Sequence, residues 1–282
     1  PFVSHDFLAG LERHGCLRER LGWRPHHLGL WDGGTLVAAV PAYRKANSHG
    51  EFVFDHAWAD AYERAGGKYY PKLLAAVPYS PVPGPRLLVD PRHAAARATL
   101  VDALRDMAEA ARWSGAHVNF VESEDARVLR DAGWLEREDI QFHWANRGYP
   151  DFESFLGALN SKRRKEIRRE RAKVRAVGWQ FAQYDGTRIA DPELAQVHRL
   201  YADTFEAKGN VAALTPAFLA ALARALGSRF VVVLGARADG ARCMALFLAS
   251  DDVLYGRYWG SNALTPGLHF EACYYQGIEH CI

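Results

Sequence analysis

FVVVLGARADGARCMALFLASDDVLYGRYWG, Phe230 to Gly260, is the stretch that decides the fold. Three apolar runs are separated by Ala238-Asp239-Gly240 and by Asp251-Asp252. They predict three strands, the first two joined as a hairpin, because glycine takes positive φ at no steric cost. The same signal stands earlier in HLGLWDGGTLVAAVPAYRK, His27 to Lys45, where two apolar runs flank Asp32-Gly33-Gly34.

Working outward, Phe7, Leu8, Leu11 and Leu17 fall at helical spacing and predict a helix over Phe2–Arg20. GEFVFDHAW (50–58), RLLV (86–89), HVNFVES (117–123) and DIQFHWANR (139–147) read as strands. A long helix is expected over about 93–113, and DARVLRDAGW reads as a short helix ended by Gly133. The pattern breaks at Tyr149-Pro150-Asp151, with Asp151 placed to cap a new helix. Helices are then expected over roughly 152–177, 192–207 and 216–226, and HFEACYYQGIEHCI reads as a C-terminal helix. Each half thus runs through helices, an Asp-Gly hairpin, further strand and a helix, a repeat of about 140 residues in element order. The expected fold is mixed α/β in two domains, residues 1–150 and 151–282, matching the prior for a chain of 282 residues.

The formal net charge is +2, yet SKRRKEIRRERAKVRAVG, Ser161 to Gly178, holds nine Lys or Arg against two Glu. That stretch contributes +7, so the rest of the chain sums to −5. Such a local basic element favours a specific anionic partner over general coating of nucleic acid. Its apolar stripe is only Ile167, Val174 and Val177, too narrow for a deeply buried helix. Lys162, Arg163, Arg164 and Lys165 are consecutive and cannot all pair with Glu166 and Glu170, so they and Arg168 are candidates to hold phosphates. A solvated helix face is the alternative.

Cys16, Cys243, Cys273 and Cys281 are scattered with no Cys-x-x-Cys pair, which points to thiols in a reducing, cytoplasmic setting. No histidine falls at metal-ligand spacing, so no metal site is expected. No apolar run approaches the roughly 18 residues of a membrane span. The start at Pro1 reads as N-terminal trimming, and YYQGIEHCI stops inside a predicted helix without a closing residue.

The element order resembles tandem GNAT acyltransferase folds with a basic helix between them, a layout similar to the Fem aminoacyl transferases. LNSKRRKEIRRERAKVRAVGW resembles that family's basic segment. GEFVFDHAWADAYERAGGKYYPKL, VPGPRLL, QFHWANRGY, LYGRYWG and LHFEACYYQ resemble a bacterial FemAB-like branch of peptidoglycan biosynthesis/recognition proteins. The resemblance implies transfer of an aminoacyl group, carried by tRNA, to an amine of a cell-wall precursor. It also implies a strand and a Gly-rich segment beyond the last helix, so the second domain is expected to be incomplete. An acyl-CoA-dependent N-acetyltransferase acting on a small amine or peptide is the first alternative. A non-catalytic protein recognising a glycan or nucleotide is the second. Arg257-Tyr258-Trp259-Gly260-Ser261-Asn262 is the nearest match to a GNAT pyrophosphate turn. It lacks the final small residue and lies too early for the helix near His269, which favours a donor other than CoA.

Acyl transfer needs a base and donors for the oxyanion. His269 and Glu271 are the candidates for base or amine anchor, two residues apart and so splayed by about 200°. Tyr255 and Tyr258 are candidate hydroxyl donors, and Tyr275 a substrate contact. Asp55, His56, Trp58 and Asp60, dense in polar groups beside a predicted strand, are candidates to hold an acceptor amine or peptide. Structural roles are the alternative for each: helix N-terminal capping for Glu271, packing for His269, a hydrogen-bonded turn for 55–60.

Overall fold

The computed structural model describes residues 1–282, a mixed α/β chain of two compact units, Phe2–Asp139 and Ile140–Ile282 with Pro1.

In the first unit α1 spans His5–Arg13, shorter than expected because both ends are set locally. Ser4 caps it by accepting from the Phe7 N–H, and Gly15 turns the chain with positive φ. There follow β1 (Trp23–Pro25), β2 (Leu28–Asp32), β3 (Thr35–Val40), β4 (Ala42–Lys45), α2 (His56–Arg64) and β5 (Lys72–Ala75). β6 (Leu88–Val89), α3 (Ala96–Ala110), β7 (Ala116–Val118) and α4 (Ser123–Asp131) complete the unit. One sheet has the order β1-β4-β5-β7 and the other β2-β3-β6. The expected hairpin is present: Asp32 pairs with Thr35, and Gly33 and Gly34 take φ of 52° and 86°, as a tight two-residue turn requires.

β5 has every residue buried. Leu73 and Ala75 join Leu100, Val101 and Leu104 of α3 in one core, while Leu74 packs with Trp23 and Tyr43 in another. A strand covered on both faces has no polar–apolar alternation, and β5 therefore carries no strand signal.

Two predicted strands do not form. In GEFVFDHAW, Phe52 and Phe54 take φ of 63° and 48°, outside the strand region, and α2 begins at His56. Residues 135–148 contain neither helix nor strand, and Ile140 and Phe142 of DIQFHWANR are 79% and 97% exposed. Alternation fixes a strand only where one face is buried, and here neither is.

The second unit opens with α5 (Phe152–Gly157) and α6 (Ser161–Ala176), where a single helix is expected from the sequence. Asp151 caps the first as predicted. Asn160 breaks the run, because its extended backbone lets its side chain accept from the Arg163 N–H and cap α6 anew. β8 (Gln180–Asp185) comes next, then α7 (Asp191–Glu206), α8 (Pro216–Leu226), β9 (Phe230–Ala236), β10 (Arg242–Ala249) and β11 (Leu254–Ser261). The sheet is antiparallel throughout, in the order β11-β10-β9-β8. Phe230–Gly260 thus holds its three expected strands, and β8, which the sequence does not announce, adds the fourth. The C-terminal helix is composite: α9 (Leu268–Phe270), a π-helical turn (Glu271–Tyr275) and α10 (Gln276–Cys281).

Gly260 lies within β11. A Cβ there would stand 2.2 Å from the Leu200 carbonyl oxygen of α7, so the close approach of helix and strand admits only glycine. Packing, rather than a pyrophosphate turn, accounts for this glycine.

Candidate functional site

The first unit holds a buried charge cluster that begins with the register of its sheet. Lys45 and Lys72 are directly paired across β4 and β5, and both are wholly buried. Two ammonium groups facing each other in a core repel, so opposite charge must be supplied. The loop between β4 and α2 supplies it by turning Glu51 and Asp55 inward, at 3% and 4% exposure. Lys72 Nζ lies 2.6 Å from Asp55 Oδ2 and 2.9 Å from Glu51 Oε2, and it donates to Ser48 Oγ at 3.2 Å. Tyr69 donates its hydroxyl to Asp55 Oδ2 at 2.8 Å, and Ser48 Oγ shares a hydrogen bond with the Tyr70 hydroxyl. Lys45 donates to the His49 carbonyl, and its ammonium sits 3.7 Å from the centre of the Trp23 ring.

Burial pushes the Lys45 ammonium down to about 7, against the pull of Glu51. Burial likewise raises the Glu51 carboxyl, with Lys72 opposing. Burial alone would raise Asp55 too, but hydrogen bonds from Lys72 and Ser48 outweigh it and hold the carboxylate ionised well below its ordinary range. Burial lowers His117 on β7 to about 4, and the nearby Lys72 adds to the effect. A neutralisable amine beside a raised carboxyl is the kind of clustering that marks functional sites. Meanwhile Phe52 and Phe54, between the two acids, point outward at 37% and 71% exposure. Aromatic residues in the left-handed region cost about 1–3 kcal/mol each, which the inward ion pairs offset.

This geometry revises the roles expected for 55–60. Asp55 precedes α2 and belongs to the buried cluster, whereas His56, Trp58 and Asp60 lie on the exposed surface of that helix. They do not alternate along a strand. Lys45, Glu51, Lys72 and Tyr69 are missed by reading the sequence. The available signal was a lysine at the head of the apolar run KLLAAV, and the four-residue spacing of Glu51 and Asp55.

In the second unit α6 has two opposed faces. At about 100° per residue, Ile167, Arg171 and Val174 share one side. Ile167 and Val174 enter hydrophobic clusters, and Arg171 is buried between them. Its guanidinium makes a double hydrogen bond to Glu271 at 2.9 and 3.0 Å, and another to Glu279 at 2.8 and 3.0 Å. It also lies 4.4 Å from the Phe152 ring centre. Tyr275 donates to Glu170 at 2.6 Å, and this hydrogen bond adds to burial in raising its hydroxyl. The opposite side carries Lys162, Lys165, Arg169 and Lys173, all exposed, at helical spacing of three and four.

Of the residues expected to hold phosphate, Lys162 and Lys165 lie on that ridge. Arg163 pairs with Glu166 and Arg168 with Glu153, while Arg164 donates to the Gly157 carbonyl. Arg169 and Lys173 complete the ridge, and the sequence reading does not single them out.

The four residues expected to act together in catalysis do not gather. A register shift between Leu246 and Phe247 leaves Arg257 as an extra residue on β11, so Tyr255 pairs with Leu248 and Tyr258 with Leu246. Both tyrosines therefore share one face although they stand three apart. That face carries α7, where Tyr258 packs on Tyr201 with ring centres 4.8 Å apart. The opposite face, through Ala245 and Phe247, packs on the C-terminal helix, where the His269 ring contacts Trp259. The sheet separates the tyrosines from His269 and Glu271. Glu271 is 1% exposed, bound by Arg171 and by Gln276 Nε2, an engagement that argues against a role as base. Tyr275 is buried against α6 rather than presented to a substrate. His269 lies at the surface, and partial burial with Lys208 nearby lowers its imidazole, which favours the neutral form.

Among the residues described there is no cluster of side chains able to hold a metal ion, and no helix is long and apolar enough to cross a membrane. No curated protein gives a match to the chain. A family model for FemAB-like proteins, described as peptidoglycan biosynthesis/recognition, matches residues 1–282. With the whole length covered, the chain belongs to the FemAB-like family, and its role lies in peptidoglycan biosynthesis or recognition.

Proposed function

We propose that the protein is a transferase of the GNAT/Fem type, moving an aminoacyl group from a phosphate-bearing donor to an amine of a peptidoglycan precursor in the cytoplasm. The observation that supports this reading is the cationic ridge of α6. Lys162, Lys165, Arg169 and Lys173 line one side of a helix whose other side is pinned by Arg171. The last three cations rise about 6 Å per step along the axis, so they meet successive phosphates rather than one. A tRNA backbone offers such a row, and neutralising it would supply affinity without base reading. Tyr255 and Tyr258 lie across the sheet from His269 and cannot serve the same reacting centre, so no oxyanion role is carried forward for them. His269 is our candidate base, since Glu271 is engaged by Arg171. The exposed His56, Trp58 and Asp60 remain our candidates for holding the acceptor.

The test is binding of aminoacyl-tRNA and of acetyl-CoA to the protein and to a Lys165→Ala/Arg169→Ala/Lys173→Ala variant. The expected result is tRNA binding that weakens at least ~10-fold in the variant, with a salt dependence shallower by about one unit for each phosphate no longer neutralised. Binding of acetyl-CoA without tRNA would overturn the aminoacyl reading in favour of an N-acetyltransferase. Binding of neither, with retention of a peptidoglycan fragment, would leave a recognition protein.

A further inference from the structure

The first unit has an open depression of about 330 Å³, formed where α3 ends and the chain leaves α4. Arg105, Ala108 and Glu109 line it from one face of α3, Trp113 from the turn after that helix, and Gly133 and Trp134 from the turn after α4. The volume lies at the small end of ligand sites, suited to an amino acid or a dipeptide.

Its charged groups are unusual in their arrangement. Arg105 and Glu109 stand four apart on a helix, where such residues ordinarily pair with each other. Here they do not. Arg105 instead donates Nη2 to the Ala132 carbonyl at 2.6 Å, which anchors the guanidinium across the depression and leaves its other donors uncommitted. Glu109 carries no side-chain partner at all. The depression thus presents an anchored cation and an unpaired carboxylate, with two tryptophans and five small residues, Ser114 among them, as the remaining wall.

We propose that this depression binds a free amino acid as its zwitterion. The α-carboxylate accepts from the Arg105 guanidinium, whose planar fork suits that group. The α-ammonium donates to Glu109, and an apolar side chain packs on Trp113 and Trp134. Both charges of the ligand contribute, because one meets the anchored guanidinium and the other the unpaired carboxylate. The site is independent of aminoacyl transfer and stands or falls without it.

Calorimetric titration of the full chain with L- and D-leucine and L- and D-phenylalanine tests the proposal. N-acetyl-leucine and leucine methyl ester serve as probes with one charge removed. Saturable binding of at least one free amino acid is expected, with each blocked derivative weaker by ~10-fold or more, as loss of a charged hydrogen bond implies. Glu109→Gln is expected to weaken the free amino acid while leaving N-acetyl-leucine, which has no ammonium, unchanged. Arg105→Ala is expected to weaken it further while leaving the methyl ester, which has no carboxylate, unchanged. Both positions are exposed, so circular dichroism should report an intact fold for each. No saturable binding of any of the four amino acids up to ~10 mM, the weak end of measurable affinity, would overturn the proposal. So would binding that neither substitution changes.

Discussion

Each unit buries a basic residue against two carboxylates, and the two solutions differ in kind. Arg171 meets Glu271 and Glu279 with paired hydrogen bonds on two sides, so both carboxylates are matched and the cation stays charged. Lys72 works from a single point, donating to Asp55 and Ser48 and meeting Glu51 Oε2 only as an ion pair at 2.9 Å, and both Glu51 oxygens are left with no hydrogen bond. A second ammonium, Lys45, must then share the same pocket, and its affinity for a proton falls. The planar fork satisfies a buried site completely, whereas the point charge leaves one that can change protonation near neutral pH. We read the first as an anchor for α6 and the second as the more reactive environment.

Breaking the anchor should have the largest effect. Arg171→Ala leaves Glu271 buried and uncompensated, and the expected loss is about 3–5 kcal/mol of unfolding free energy, measured by urea denaturation. A loss below about 1 kcal/mol would show that water reaches the carboxylate and that the burial argument fails.

The lysine pair should split in sign. Lys72→Met strands Glu51 and Asp55 and is expected to destabilise by about 2–4 kcal/mol, a little less than the arginine because Lys45 remains close. Lys45→Met removes an ammonium whose burial is poorly repaid, and stability is expected to hold or to rise by about 1 kcal/mol. Equal losses in the two variants would show the lysines to be interchangeable and would erase the contrast.

A pH dependence confined to the first cluster is also expected. Lys45 holds its proton less tightly when folded, at about 7, than when unfolded, at its ordinary 10.5. Between these values the unfolded chain carries more protons, so stability from this group rises as pH increases across that window. Asp55 acts in the same sense in acid: its folded value is depressed, so its contribution is whole above its ordinary 3.8 and is lost as pH falls below that. Urea titrations at about pH 6, 7.5 and 9 should show the rise in the wild type and a flatter profile in Lys45→Met. Identical profiles would assign the rise to other groups.

The same contrast between local and distant chemistry governs what is legible in the chain. Hairpins at Gly33-Gly34 and Asp239-Gly240, α7, α8 and the cap at Asp151 follow from neighbouring residues, whose chemistry is visible in order along the sequence. β5 is not legible because burial on both faces erases its period, and the break at Asn160 is hidden inside continuous helical propensity. The site suffers most. Glu271 and Arg171 lie 100 residues apart, and nothing in either segment announces the other. Arg171 occupies a position that belongs by spacing to the apolar stripe, so counting charges puts it on the wrong side of the helix. The ridge of Lys162, Lys165, Arg169 and Lys173 is written in the helical period, but the run of consecutive cations at the helix start obscures it.

The π-helical turn sets the phase between two glutamates. Glu271 and Glu279 are eight residues apart, which in a regular helix would aim them about 80° away from each other. The wider turn, closed by the Gln276 N–H on the Glu271 carbonyl, absorbs one residue, so eight steps cover the arc of seven and the two carboxylates come into phase. The turn thus behaves as a one-residue insertion whose effect is angular rather than axial. Deleting a residue such as Cys273 would relax the coil to a regular helix while conserving that phase, whereas deleting one residue beyond the turn would rotate Glu279 off its arginine.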